Sequence, residues 1–279
     1  MKTILFPVLL LSSITIQAQY YYNDIIGTQE TSRQMKTYQA NKVRTVSVTG
    51  FDQRGSKATN FSEFHEVKEN GTALKSTTFN NFNKAVIYSR FDNLGRVVSM
   101  TDTSKAIVSI TTYQYDASSR VSRVQNITKD SANDFNQSEV HQWIYNTSNM
   151  PEKMWRIINT TDSLEIRFSP DEDSNTGDEK TIRKGIETGT IYYYYDNKKR
   201  LTDIVRYNTK AKKLLPDMLF EYDDNDRVIQ KITTTSSLTL GYLIWRYVFD
   251  EKGLKTKEAL FNDDKQLTGK IEYSYTFGQ

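Results

Sequence analysis

The stretch YQYDASSRV, Tyr113–Val121, sets two tyrosines, an aspartate, a short polar loop and an arginine in an order that recurs. It returns as YYYDNKKRL at 193–201 and FEYDDNDRV at 220–228, and more loosely as SRFDNLGRV at 89–97 and YVFDEKGL at 247–254. A repeated local pattern needs a repeated local cause. Side chains alternate across a strand, so Thr111, Tyr113 and Tyr115 share one face, as do Tyr193 and Tyr195, and Leu243, Trp245, Tyr247 and Phe249. Each row ends at an acidic residue and a polar cluster, and a basic residue followed by a β-branched residue or leucine usually comes next. The reading is strand, turn, strand.

The turn chemistry explains part of the lettering. Asp92, Asp116, Asp196, Asp223 and Asp250 are placed to accept backbone N–H groups two residues on, closing an Asx-turn. The fourth loop position favours positive φ. Gly95 and Gly253 meet that demand, and Asp226 and Asn149 tolerate it, whereas Ser119 and Lys199 fit less well. The turn geometry is therefore expected to vary between hairpins. Arg96, Arg120, Arg200 and Arg227 stand where a guanidinium reaches the aspartate or a tyrosine ring. Asp196, Asp223 and Asp250 are 27 residues apart, a period that holds two strands and two turns. The period is looser upstream, where Asp92 to Asp116 is 24 residues and Asp116 to Asn146 is 30. The pattern predicts a dozen or more strands in consecutive hairpins.

The N-terminal region differs. MKTILFPVLLLSSITIQAQ has one lysine and a short apolar run, the form of a secretory signal cut after Ala18 or Gln19. GTQETSRQMKTYQAN at 27–41 lacks alternation and reads as a short helix, with Thr28 as N-cap and Asn41 closing it in a left-handed conformation. The expected organisation is a signal peptide at 1–18, a linker with a short helix at 19–42, and a β domain at 43–279. Export predicts a periplasmic, cell-surface or extracellular location. With no cysteine in the chain, sheet pairing and packing must hold it together.

Without Lys2 the chain carries 36 basic and 34 acidic residues, a net charge of +2. Mixed charges of this balance argue against nucleic acid as partner. No later segment reads as a transmembrane helix. RVSRVQNITKD and KITTTSSLTLG break both strand faces with polar residues, which argues against an outer-membrane barrel.

These motifs resemble the YD-repeat, or RHS-repeat, family, whose signature is Tyr-x-Tyr-Asp-x-x-Gly-Arg-Leu. The resemblance covers roughly residues 85–279. With YYYNDIIGT after the leader, the whole chain resembles a group of small secreted bacterial YD-repeat proteins. In larger RHS proteins the repeats form a long antiparallel sheet that coils into a shell around a toxin domain. Here most loops lack the glycine, the chain is short for a closed shell, and no toxin-like segment follows. The resemblance therefore implies repeated antiparallel hairpins in a strongly twisted, partly rolled sheet, and a secreted setting, without cargo or toxin.

Functional readings follow from the residue types. A tyrosine ladder packs across strands, and an exposed ladder stacks on sugars or on a protein surface. The candidate ligand-binding rings are Tyr113, Tyr115, Tyr193, Tyr195, Tyr222, Trp245 and Tyr247. Asp171, Asp173, Asn175 and Asp178 have the alternating oxygens of a calcium loop, but Thr176 stands where such a loop wants glycine, and a solvated acidic turn is the plainer reading. Calcium is the single cofactor considered. His65 and His141 are read as sheet-surface residues, and no HExxH, GxSxG or Ser/His/Asp order is visible. The leading expectation is a non-enzymatic binding or structural protein with a polysaccharide or envelope-protein partner. The rival is an envelope polysaccharide hydrolase whose carboxylates converge from separate repeats.

Overall fold

The computed structural model describes residues 19–81, 83–104, 106–209, 211–234 and 241–278. The expected signal peptide, residues 1–18, lies outside them. A π-helical turn (Tyr21–Ile26) runs directly into α1 (Gly27–Ala40), and strands make up nearly all of the rest. In chain order they are β1 (Val43–Asp52), β2 (Lys57–Lys68), β3 (Ala73–Asn80), β4 (Asn83–Phe91), β5 (Val97–Ser104) and β6 (Ile107–Tyr115). Next come β7 (Val121–Asp130), β8 (Phe135–Tyr145), β9 (Pro151–Ile158), β10 (Asp162–Pro170), β11 (Thr176–Arg183) and β12 (Ile186–Tyr195). The last six are β13 (Leu201–Asn208), β14 (Lys213–Tyr222), β15 (Val228–Thr234), β16 (Tyr242–Phe249), β17 (Lys255–Phe261) and β18 (Leu267–Phe277).

Every strand pairs antiparallel with its neighbours in sequence, and β1 also pairs with β18 through Val43↔Phe277 to Asp52↔Gly269. The 18-stranded sheet is thus a closed up-and-down barrel. This corrects the expectation of an open, partly rolled meander. Alternation and turn residues specify each hairpin locally, but the closing pair joins residues more than 200 positions apart, beyond any local pattern. Closure removes both free sheet edges, a liability in any open sheet. It also rules out a repeat-protein solenoid, since the ring has no terminal unit.

The inward face is set by parity. Val46, Val48, Trp143, Met154, Ile166, Tyr193, Ile204 and Phe220 are all buried and point into the ring. The outward face carries charge at mid-strand: Lys270 pairs with Glu272 at 2.9 Å and Arg167 with Glu165 at 3.0 Å. Exposed apolar side chains such as Ile110, Ile144 and Val248 are interspersed with these charges on the same face.

Side chains fill rings of about eight strands, but rings of about 16–18 are too wide for that. Here the N-terminal helix supplies the missing interior at one end. Its first turns place Tyr20, Tyr21 and Ile25 against Val121, Trp143, Met154, Ile166 and Phe168. Tyr22 packs on Ile191, Tyr193, Ile204 and Phe220. At the far end of the helix, Met35 and Tyr38 pack on Val46, Val48, Leu74, Phe91, Val97 and Leu254. These groups lie on opposite sides of the ring, so the helix spans it as a plug. Burying each large apolar side chain contributes about 1.5–3 kcal/mol, and the plug is the surface against which the wall buries its own.

The helix starts and stops differently from expectation. Thr28 lies within a continuous helix and not at its cap, and Asn41 has φ −94°, leaving the left-handed position to Lys42 at φ 52°. The π-helical turn extends the helix upstream, which lets Tyr20, Tyr21 and Tyr22 all reach wall residues.

Candidate functional site

All the turns that carry the recurrent aspartate lettering join an even strand to the following odd one. They therefore share one rim, the rim that the helix covers. At Asp92, Asp116, Asp196 and Asp223, Oδ1 accepts the N–H groups two and four residues on at 2.9–3.0 Å. Oδ2 accepts the arginine Nε at 2.7–2.8 Å. Burial acts to raise each of these carboxyls, but the arginine and the backbone donors outweigh it and hold all four below the usual carboxylate range. The geometry is uniform rather than variable. Ser119 and Lys199 adopt φ 63° and 60°, alongside Gly95 at 71° and Gly253 at 76°. The doubly bonded aspartate holds the left-handed residue whatever its side chain.

Each arginine also reaches over the next hairpin. Arg96 stacks on Tyr115 at 4.2 Å, Arg120 on Tyr145 at 4.3 Å, Arg200 on Tyr222 at 4.8 Å and Arg227 on Phe249 at 4.9 Å. The tyrosine hydroxyls donate back to the preceding hairpin: Tyr115 to Val97 O, Tyr145 to Val121 O and Tyr222 to Leu201 O, at 2.7–2.8 Å. Aspartate closes the turn, arginine clamps the next one, and tyrosine ties back to the last. At the Asp250 turn Leu254 replaces the arginine and fills the core instead, while Asp250 Oδ1 accepts the Leu254 N–H at 2.8 Å.

Below this rim a polar latch ties the plug to the wall. His141 Nδ1 lies 2.7 Å from Asp24 Oδ2 on the plug, and its Nε2 lies 2.8 Å from Glu139 Oε1. Trp143 Nε1 donates to the same Asp24 oxygen at 3.0 Å, and Arg156 grips both oxygens of Glu139 at 2.8 Å. Burial acts to lower the His141 pKa, yet Asp24 and Glu139 outweigh it and raise it to about 9, so the imidazolium persists at neutral pH. Burial acts to raise the Glu139 pKa, but His141 and Arg156 outweigh it and hold it down to about 2. A second anchor is Glu179, which accepts the Tyr20 and Tyr21 N–H groups at 3.2 and 2.9 Å and the Tyr193 hydroxyl at 2.8 Å. Burial dominates over these donors and pushes its pKa up to about 7. Gln19 adds a third, donating to Asp217 at 3.0 Å.

Beyond the plug the inward face turns polar. Asn126 donates to Ser109 Oγ at 2.7 Å and Thr111 Oγ1 at 2.9 Å, and accepts from Thr128 at 2.9 Å. Five strands along the ring, on β12, Gly189 alternates with the inward Ile191 and Tyr193, is exposed, and has no atom within 4 Å of where a Cβ would stand. This part of the inward face carries amide and hydroxyl groups together with charged ones: Asp102 stands opposite Ser109, and Arg183 pairs with Asp162 at 3.3 Å.

The seven rings proposed for ligand stacking all point inward. Tyr193 is packed under the plug, Tyr115 and Tyr222 lie beneath arginines, and Tyr195 donates to Thr176 O at 2.9 Å. Tyr113 points its hydroxyl at Met100 Sδ, Trp245 is buried, and Lys255 covers Tyr247 at 4.8 Å. They form no open aromatic face. Neither histidine is on the surface, since His65 also faces inward, between Ser76 at 2.6 Å and Glu63 at 2.7 Å. The calcium reading loses its ligands to the turn. Asp171 Oδ1 accepts from Asp173 and Asn175 N–H, Oδ2 accepts from the Asn175 amide, and Asp178 faces outward beside Lys180. Among the described residues no three His, Cys, Asp or Glu side chains are grouped to hold a metal ion. Sequence reasoning missed Asp24, Glu179, Arg156, Gly189 and Asn126. The available signal was Glu139 and His141 on one strand face, two ionisable groups at inward positions of a strand that also carries Trp143.

No family model and no curated protein matches the chain. Membership in the YD-repeat family is therefore not upheld, and the wall is one closed ring instead of a row of repeats. The lettering that suggested it is accounted for by rim bracing. Among solved structures, a porin-like protein from Bacteroides uniformis is similar at 10% identity and TM-score 0.39, covering 84% of this chain and 98% of that one. A porin-like protein from Bacteroides vulgatus is similar at 8% identity and TM-score 0.22 over the same shares. The complex TcdB2-TccC3-Cdc42 is similar at 14% identity and TM-score 0.35, covering 78% of this chain. The chain spans 12% of that structure's length. At these scores none of the three carries an argument about what this chain does. No described helix is long and apolar enough to cross a membrane.

Proposed function

We propose that the protein works outside the cytoplasm, associated with the cell envelope, as a non-enzymatic binding barrel that receives a neutral, hydroxyl-rich ligand such as an oligosaccharide in its open lumen. The observation that carries this reading is the unfilled space at Gly189, on the same inward face of the ring as the Ser109–Thr111–Asn126–Thr128 ladder. Concave sites of this kind hold ligands through a few placed polar groups on a rigid frame, and a closed, plugged ring is such a frame. The leader-like N-terminus supports export, and the charged outward face supports a barrel surrounded by water. The hydrolase reading has less support. Asp24 and Glu139 do converge from separate elements, but Asp24 Oδ2 is held by His141 and Trp143, and Glu139 is held by His141 and by Arg156 at both oxygens, so both are bound into the latch.

Gly189→Trp tests the reading. A strand indole there fills open space without displacing a neighbour, so the melting temperature should hold. Calorimetry with glycans retained by the unmodified protein on a glycan array should lose its signal in the variant. No retained glycan, or unchanged binding in Gly189→Trp, contradicts the proposal.

A further inference from the structure

Between the outward side of α1 and the rim turns after β4, β6 and β8 lies a cleft of about 530 Å³, within the usual range for small-ligand sites. The helix presents Ile25, Gln29, Arg33 and Lys36 to it at helical spacing, and the wall contributes Tyr145 and Asn149. No aspartate or glutamate lines it. Its four cations differ in state. Arg96 and Arg120 are tied to Asp92 and Asp116 at 2.6 Å. Arg33 is exposed and donates only to the neutral Asp226 carbonyl, at 3.3 Å. Lys36 is exposed, and its stem lies against Gly95, where an added Cβ would stand 3.0 Å from Lys36 Cγ and Cε. That contact holds the stem at the cleft edge. Among the described residues neither Arg33 nor Lys36 has a carboxylate within ion-pair distance, although the Glu30 charge acts on Arg33 from the same helix. Both stand in a frame of amides and hydroxyls already rigid through the rim clamps.

From this geometry we infer that the cleft is a binding site for a small anionic ligand whose carboxylate or phosphate group pairs with Arg33 and Lys36. Arginine offers a planar fork that matches either group, and lysine a point charge beside it. The Gln29 and Asn149 amides are placed to hold hydroxyl groups on the remainder of the ligand. Arg96 and Arg120 stay neutralised by their aspartates and serve as the fixed frame of the cleft, leaving Arg33 and Lys36 as its net positive charge. This site is separate from the lumen and does not depend on the ligand proposed there.

The probes are a galacturonic-acid trimer for the carboxylate source, inorganic phosphate and glucose-6-phosphate for the phosphate source, and an uncharged glucose trimer as control. Calorimetry on the full protein should show binding of at least one anionic class, weakened by added salt, and none of the neutral trimer. Arg33→Gln with Lys36→Gln should weaken that binding about tenfold or more, the effect expected when charge-assisted hydrogen bonds are lost. Lys36→Arg should retain it. Both positions are exposed, so an unchanged melting temperature verifies the fold. Uronate binding alone assigns a sugar acid, and phosphate binding alone assigns a phosphorylated ligand. Absence of binding by both classes at millimolar concentration, or equal binding by the double glutamine variant, overturns the site. Gly189→Trp should leave this binding intact, so failure of the lumen reading and failure of the cleft are separately visible.

Discussion

The two halves of the barrel share one wall yet are built on different terms. The covered half has the aspartate–arginine turns, the stacked rings and the three apolar groups gathered on the plug. The open half has turns without the arginine clamp, an inward face of mixed polar and charged residues, and an exposed inward glycine. The strands pass through both with the same pairing and alternation. Strand pairing makes the ring, and what fills the ring decides where it is rigid and where it can receive something. The covered half spends its chemistry on holding shape, which leaves the open half free to be hollow.

The largest expected effect falls on the latch. Asp24→Ala leaves the His141 cation and the Trp143 N–H facing a buried gap, and removing one partner of a buried pair costs about 3–5 kcal/mol. The urea midpoint should fall sharply. The matching change in the open half, Thr128→Ala, should cost less than about 1 kcal/mol, since its site is partly open and its bonds are neutral. Equal losses would erase the distinction between the halves.

Next in size is the response to pH. His141 has its folded pKa raised from 6.5 to about 9, so its stabilisation is complete below 6.5 and is lost as pH rises through 9. Glu179 is raised from 4.5 to about 7, so its neutral form favours folding below 4.5 and the advantage disappears as pH rises through 7. Both groups make the protein less stable at pH 9 than near pH 5. Glu179→Gln should flatten the profile up to about pH 7 and His141→Asn the part above it. A stability that rises from pH 5 to 9 would contradict the latch.

The smallest effect separates the rims from the outer wall. Arg227→Ala removes one clamp, its ion pair with Asp223 and its contact with Phe249, and should cost about 1–2 kcal/mol. Arg167→Ala, an outward arginine, should leave the midpoint unchanged. Equal effects would mean that the rim clamps add nothing beyond surface pairing.

Much of this organisation was legible in the residues. Tyr193 and Tyr195 alternate, Asp196 closes a turn, and Arg200 follows it, and these features suffice to place hairpins. They do not say which face is inside, because Tyr193 reads equally well as a packed ring or an exposed one. Nor do they say that β1 meets β18, a contact whose partners are ordinary strand residues such as Ser47 and Ser274. The plug was half visible. Met35 and Tyr38 marked one helical face, but Asp24 lies in an aromatic stretch whose partners on β8 come more than 100 residues later. The latch and the open lumen arise only when the ring closes around the helix.

Closure is therefore the claim to test first, and the absence of native cysteine makes the test clean. Ser47 and Ser274 are exposed and directly opposite in the β1–β18 pair, where Cβ atoms stand about 4.5–5.5 Å apart. Ser47→Cys with Ser274→Cys should form an intramolecular disulfide under mild oxidation, detected by mass and by faster migration without reductant. Free thiols, or crosslinks only between molecules, would mean that the sheet stays open and the account fails.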